Sequence, residues 1–100
     1  MLIHLSPVRA AAPITASVAG DVLTLDGEAL DFGPMAEGDR LPAEATGSPH
    51  IVGHVERTGG EIVVKLTLPH GADAPEATRF PEPIQAGDGP VALPPYDGGA

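Results

Sequence analysis

Four histidines carry the most adaptable chemistry in this chain: His4, His50, His54 and His70. Imidazole nitrogens are common metal ligands, and His50 and His54 are four positions apart, a spacing that on a helix would suit one metal ion. The surrounding sequence instead predicts a β-strand, in which four residues span about 13 Å. We therefore expect His50 and His54 to share a face but not an ion, and we interpret all four histidines as surface or loop residues.

The other reactive side chains form no catalytic set. The chain has no cysteine, and its serines, Ser6, Ser17 and Ser48, lie outside any G-x-S-x-G elbow. No G-x-x-x-x-G-K phosphate loop occurs. Asp26 and Glu28 flank a turn signal, and turn chemistry accounts for both carboxylates. The sequence therefore predicts a protein that is not an enzyme and has no catalytic residue, no cofactor site and no metal ligand.

The charge balance excludes further classes. Of the 100 residues, 14 are acidic and 5 basic, which gives a net charge of −9 and disfavours binding to nucleic acid or anionic lipid. No segment has the roughly 18–20 apolar residues that cross a bilayer. The segment from Met1 to Leu5 lacks the basic region and long apolar core of a signal peptide. We expect no nucleic-acid partner, no membrane partner and no secretion by a signal peptide.

The sequence from Ile14 to Phe32 predicts a three-stranded antiparallel meander. Gly20-Asp21 and Asp26-Gly27 are two-residue turn signals, and the segments beside them alternate apolar and polar residues. A one-residue slip would invert both faces, so the alternation specifies the register. The predicted pairs are Ala16 with Leu25, Ser17 with Thr24, Val18 with Leu23, Leu23 with Leu30, Thr24 with Ala29, and Leu25 with Glu28.

A second hairpin is predicted around Gly59-Gly60, where two glycines allow the positive φ angles of a type I′ turn. Its strands run from Ile51 to Thr58 and from Glu61 to Leu68. One face is apolar and the other polar, as in an antiparallel sheet that packs on one side. The predicted pairs are Val55 with Val64, His54 with Lys65, Gly53 with Leu66, and Ile51 with Leu68.

Weaker signals complete the chain. Leu2 to Leu5 predicts a short strand that stops before Pro7, Phe80 to Ile84 a proline-rich edge segment, and Gly89 to Leu93 a last short strand. Gly33 to Pro49 predicts a loop of about seventeen residues, with one helical turn that begins at Pro42. We expect one β domain over residues 1–93 and an extended or disordered tail over residues 94–100.

Together these elements predict an all-β domain in which antiparallel hairpins and a meander form a small sandwich or open barrel with long loops rich in Pro and Gly. Only three residues are aromatic, which is few for a small core, so we expect self-association into a homo-oligomer. The predicted core residues are Ile14, Ala16, Val18, Leu23, Leu25, Leu30, Ile51, Val55, Ile62, Val64, Leu66 and Leu68.

Several segments resemble small proteins encoded in phages and prophages of proteobacteria, in the region of the tail and virion genes. The segments are Leu5 to Arg9, Gly20 to Phe32, Leu41 to Ala45, Gly53 to Arg57, Leu66 to Gly71, Phe80 to Ile84 and Asp88 to Pro94. The resemblance implies a phage context, and it supplies no catalytic residues.

We therefore expect a non-enzymatic accessory or structural protein, associated with the phage tail or virion, that acts through protein contacts. The expected partners are further copies of the chain and other phage structural proteins, in the host cytoplasm or in the virion. An open strand edge or the loop from Gly33 to Pro49 is the expected contact surface, because unpaired edges accept added strands. The alternative is a small metal- or ligand-binding β domain that uses His50, His54 or His70.

Overall fold

Two β-sheets face each other across one apolar core in the computed structural model, which describes residues 1–96. The arrangement is a small all-β sandwich rather than a closed barrel, so the predicted fold class is confirmed. In chain order the elements are β1 (Leu2–Arg9), β2 (Ala16–Ala19), β3 (Val22–Leu25), β4 (Glu28–Asp31), β5 (Arg40–Pro42), α1 (Ala43–Thr46), β6 (His54–Thr58), β7 (Glu61–His70), α2 (Glu76–Arg79), β8 (Ile84–Gln85) and β9 (Gly89–Pro90).

The predicted meander forms the four-stranded sheet, in the order β4-β3-β2-β9. All six predicted pairs of the meander are confirmed, from Ala16 with Leu25 to Leu25 with Glu28. Asp26 and Gly27 have φ angles of 48° and 84°, which a type I′ turn requires. β9 is the first part of the predicted last strand: it contains Gly89–Pro90 rather than Gly89 to Leu93, and it pairs Pro90 with Ser17 and Gly89 with Val18. Local turn chemistry and alternation therefore specify this sheet.

The five-stranded sheet has the order β5-β6-β7-β1-β8. Its longest ladder is parallel and joins β1 to β7, from Leu2 beside Val63 to Arg9 beside His70. The expectation that the first strand stops before Pro7 is wrong, since β1 continues to Arg9. β8 pairs with β1 only at Leu2 and Ile3. Within residues 1–96, β1 is therefore paired on one side only at Pro7, with β7. Proline has no N–H to donate, and it is tolerated at such a strand edge.

The second hairpin keeps its predicted register only near the turn. Thr58 pairs with Glu61, and the ladder continues to Glu56 beside Val63. Farther from the turn, Ile51 bridges Leu66 instead of Leu68, and the predicted pair of Gly53 with Leu66 is therefore wrong. The cause is a local bulge in which Gly53 has a φ of 71°. Between the pairs Glu56 with Val63 and Ile51 with Leu66, the first strand of the hairpin has two more residues than β7.

All of the predicted core residues are buried. The core also contains Ile3 and Leu5 from β1 and Phe32 from the end of the meander. Leu23, Val55 and Leu66 are fully enclosed, at 0% exposure, so both sheets contribute to the same interior. Burial of this apolar area is the main stabilising term, at roughly 25 cal/mol per Å².

The segment between the two hairpins is more ordered than a loop. Arg40–Pro42 forms the edge strand β5 beside β6, which corrects the expectation of a continuous loop from Gly33 to Pro49. The predicted helical turn is present as α1, one residue later than expected, with Pro42 as its N-cap. Gly47 ends it with a φ of 74°.

The predicted tail falls partly on residues 97–100, which lie outside the described residues. Residues 94–96 run beside α2, a helix that the sequence did not predict. The Thr78 hydroxyl donates to the Pro95 carbonyl oxygen at 2.6 Å, and the Gly71 amide donates to the Tyr96 carbonyl oxygen at 2.9 Å. The Tyr96 hydroxyl donates to the Ala10 carbonyl oxygen. Pro94 and Pro95 therefore line a groove together with α2.

Candidate functional site

Three basic side chains lie on the outer face of the five-stranded sheet: His54 on β6, Lys65 on β7 and His4 on β1. Val64 and Leu66 are buried in the core, so strand alternation directs Lys65 between them outward. The parallel ladder places His4 beside Lys65. Neighbouring strands are about 4.8 Å apart, so these two side chains lie within reach of one ligand. His54 lines the same cleft as His4 and Lys65.

The cleft has a volume of about 350 Å³. One wall is the segment that contains Pro81 and Pro83, which precedes β8 at the edge of β1. The opposite side is formed by β6, with His54 and Glu56. The lining residues are His4, Leu5, His54, Glu56, Val63, Val64, Lys65, Pro81 and Pro83.

Among the described residues 1–96, Lys65 has no ion-pair partner. Within residues 1–96, no carboxylate lies within 4.0 Å of its ammonium group. Glu56 is the carboxylate that lines the cleft, and its Oε2 is 3.4 Å from Nε of Arg40. The cleft therefore holds an exposed positive charge in a chain whose net charge is −9.

The other two histidines lie elsewhere. His50 precedes the bulge, and its Nε2 is 3.6 Å from Oδ2 of Asp26, in the turn between β3 and β4. His70 ends β7, and its Nδ1 is 2.9 Å from the carbonyl oxygen of Gly71. His50 and His54, expected on one face, therefore have different surroundings. Residues 1–96 contain no group of three His, Cys, Asp or Glu side chains placed to hold a metal ion.

A second concave surface is apolar and lies beside α2. Phe80 follows this helix and is 72% exposed, the highest exposure of any large apolar residue in the described part of the chain. Ile84 and Leu93 contribute further apolar surface, and the volume is about 640 Å³. Glu76 and Glu82 also line the groove. The full lining is Glu76, Ala77, Phe80, Glu82, Pro83, Ile84, Ala92, Leu93, Pro94 and Pro95.

The segment from Gly33 to Pro49, expected as a contact surface, is largely held by the protein itself. Glu37 accepts hydrogen bonds from the amides of Gly59 and Gly60 at 2.8 and 2.6 Å. The Gly38 amide donates to the Arg57 carbonyl oxygen at 2.9 Å. These contacts cover the turn between β6 and β7, so this part of the segment serves the fold.

Arg57 joins the two sheets through one guanidinium group. Its Nη2 is 2.9 Å from Oδ2 of Asp21, in the turn between β2 and β3. The same side chain donates to the carbonyl oxygens of Met35, Phe32 and Gly60 at 2.6, 3.2 and 3.1 Å. Four acceptors around one cation make Arg57 a structural residue rather than a ligand-binding one.

Sequence reasoning missed both concave surfaces for the same reason. His4 and Lys65 meet through a parallel ladder between strands that are distant in the sequence, and no local turn signal reports such a pairing. The groove forms where α2 meets residues 92–95, again a contact between separate segments. One useful signal in the sequence was the alternation of β7, which places Lys65 on the outer, polar face of the sheet.

No helix among residues 1–96 has the length and hydropathy needed to cross a bilayer, and α1 and α2 have four residues each. Comparison of the chain with protein-family models, with curated proteins and with solved structures gives no match. The cleft and the groove are therefore the two features of the molecule that indicate a function.

Proposed function

We propose that this chain is a non-enzymatic accessory or structural protein of phage or prophage origin that acts through protein contacts. The observation that carries the proposal is the exposure of Phe80, at 72%, on an apolar groove. Large exposed aromatic side chains beside a groove are typical of interfaces, where they supply a large share of the binding energy. The resemblance of the segments quoted above to proteins of the phage tail and virion region supports the biological context.

The proposed occupant of the groove is an apolar segment with basic residues, supplied by another phage structural protein. Glu76 and Glu82 line the groove, and the whole chain has a net charge of −9. A basic partner gains favourable steering from this field. A second copy of the chain brings the same negative charge, so like-charge repulsion opposes self-association through this surface. Tail or virion proteins are thus the preferred partners, in the host cytoplasm or the virion.

The groove is preferred over the two surfaces expected from the sequence. The segment from Gly33 to Pro49 is engaged with Arg57 and with the turn between β6 and β7. The edge strand β4 carries Glu28 and Asp31, and charged side chains protect an edge against strand addition. Phe80 has no comparable internal role, since most of its surface faces water.

A second candidate function, the binding of a small ligand, is favoured by one observation. Of His50, His54 and His70, His54 lines the cleft on the outer face of the five-stranded sheet. His4 and Lys65 accompany it there, which points to a ligand other than a metal cation.

The protein-contact proposal is tested with the products of neighbouring tail and virion genes, each purified and measured for binding to this protein. The informative variant is Phe80→Ser, and the matched control is Val8→Ser, which removes the other large apolar side chain exposed at the surface. We expect Phe80→Ser to weaken binding at least tenfold, as loss of an aromatic hot spot does, and Val8→Ser to leave it unchanged.

Two results would contradict the proposal. One is equal binding by the Phe80→Ser variant and the wild type. The other is no binding of any neighbouring gene product at concentrations up to about 100 μM. Light scattering at micromolar concentration tests self-association in parallel. A dimer that Phe80→Ser dissociates would assign the groove to a second copy and overturn the choice of a basic partner.

A further inference from the structure

We propose that the cleft between β6 and β1 binds a small oxyanion, a phosphate or carboxylate group, through Lys65 flanked by His4 and His54. This inference does not depend on the proposed protein contacts, since the groove beside Phe80 is lined by a largely different set of residues.

The strand pairing places the donors on one side of the sheet. Lys65 lies on the central strand β7, with β1 on one side of it and β6 on the other. His4 is the register partner of Lys65, and His54 lines the same cleft from β6. An ammonium group offers three N–H donors, and each neutral imidazole offers one more. An oxyanion between them would therefore receive hydrogen bonds from three strands.

The charges around the cleft favour an anion over a cation. Lys65 stands on the strand between those that carry the two histidines and lines the same cleft, so a metal ion bound to both would meet its positive charge. The two imidazoles stand on strands that β7 separates, roughly 10 Å apart at the backbone. Without a third ligand among residues 1–96, a metal site has no support there.

Glu56 is the group in the cleft that opposes an anion. Its carboxylate faces the same space from β6, and its Oε2 is 3.4 Å from Nε of Arg40 on β5. Arg40 thus partly offsets the negative charge of Glu56. Removal of the Glu56 charge is expected to strengthen anion binding. The proposal can therefore be tested by a variant that binds more tightly as well as by one that binds more weakly.

The cleft closes on its remaining side with apolar groups. Pro81 and Pro83 line it from the segment before β8, and Val63 lines it from β7. These side chains have no polar groups that could donate a hydrogen bond, so the donors to an anion are Lys65, His4 and His54. Pro81, Pro83 and Val63 add no carboxylate to the cleft beyond that of Glu56.

The test is a titration of the full chain with inorganic phosphate and, separately, with acetate, followed by NMR shifts of the Lys65 amide and of the His4 and His54 imidazole groups. A partly exposed site with one full charge is expected to have a dissociation constant on the order of 1 mM at low salt. Tighter binding of phosphate would indicate a phosphorylated ligand, and tighter binding of acetate a carboxylate ligand.

Three variants make the result specific. Lys65→Met should weaken binding at least tenfold. Arg9→Met removes the same unit of charge from an exposed position at the end of β1, and it should leave binding within about twofold of the wild type, because screening weakens distant charges. Glu56→Gln should strengthen binding severalfold. The thermal unfolding midpoint of each variant shows that it folds.

The proposal is overturned if the cleft resonances show no saturable shift up to about 20 mM of either anion, twenty times the expected constant. It is also overturned if Lys65→Met and Arg9→Met weaken binding equally, since that result indicates only the general effect of charge. Loss of binding confined to Lys65→Met supports the site.

Discussion

Arg57 and Lys65 are cations of the same five-stranded sheet, on neighbouring strands, and their surroundings are opposite. The Arg57 side chain is 13% exposed and donates to three carbonyl oxygens and to Asp21. Lys65 is exposed, and no carboxylate within residues 1–96 lies within 4.0 Å of it. The hydrogen-bond donors of Arg57 therefore stabilise the fold, whereas those of Lys65 are accessible to a ligand.

The difference follows from strand parity and distance from the core. Arg57 stands near the turn between β6 and β7, where turns and loop residues of both sheets bring their acceptors together. Lys65 stands in mid-strand on the outer face, between positions whose side chains point inward. The position of each cation in the sheet therefore decides whether it stabilises the fold or can bind a ligand.

The largest difference in stability is expected between substitutions on the inner and on the outer face of β7. Val64 is 1% exposed, and Val64→Asp would bury a carboxylate without a partner. We expect a loss of about 4 kcal/mol or more and an unfolded domain. Lys65→Asp, one position along, should be tolerated. Thermal unfolding monitored by circular dichroism measures both variants, and equal midpoints would contradict the assigned faces.

A smaller loss is expected at Arg57. Arg57→Met keeps the aliphatic length but leaves three carbonyl oxygens and Asp21 without this donor, and we expect a cost of about 2–3 kcal/mol. Lys65→Met is the matched control and should stay within about 0.5 kcal/mol of the wild type. Urea unfolding provides both free energies. If the two variants lose equal stability, the contrast between the two cations does not hold.

Thr78 extends the comparison to a neutral donor. Its hydroxyl is fully buried and donates to the Pro95 carbonyl oxygen at 2.6 Å. Thr78→Val keeps the shape and removes this bond, so we expect a loss of about 1–2 kcal/mol in the same urea assay. Thr58→Val, at an exposed position at the end of β6, should have almost no effect. An unchanged stability for Thr78→Val would argue that residues 94–96 are not anchored through α2.

The smallest effect is expected at Arg40, a cation that is paired but exposed. Its side chain is 66% exposed, and Nε lies 3.4 Å from Glu56. Exposed ion pairs contribute little, so Arg40→Met should change the free energy of unfolding by about 0.5 kcal/mol or less. A loss as large as that of Arg57→Met would show that pairing, rather than burial, decides which cations hold the fold.

Local signals in the sequence were sufficient for much of the scaffold. Gly20-Asp21 and Asp26-Gly27, together with period-two alternation, gave six of the eight pairs of the meander. The turn at Gly59-Gly60 gave the register of the second hairpin as far as Glu56. Gly53 then breaks it, because a glycine in a strand permits a bulge that the alternation of its neighbours does not reveal.

The candidate sites were less accessible, because they depend on contacts between distant segments. The polar face of β7 was predicted, but its contact with His4 required the parallel ladder to β1, and the whole meander β2 to β4 lies between these two strands in the sequence. The groove required α2 and residues 92–95 to come together. Proline-rich segments carry little periodicity, so their packing partners leave no pattern in the sequence.

The central claim, that fold and ligand binding use separate cations, is tested most directly by one measurement. The thermal unfolding midpoint of the wild type and of Lys65→Met is recorded with and without phosphate. We predict equal midpoints without phosphate, a rise of several degrees for the wild type at a phosphate concentration well above the dissociation constant, and a much smaller rise for the variant. Equal rises for both proteins, or a variant that is unstable without phosphate, would contradict the claim.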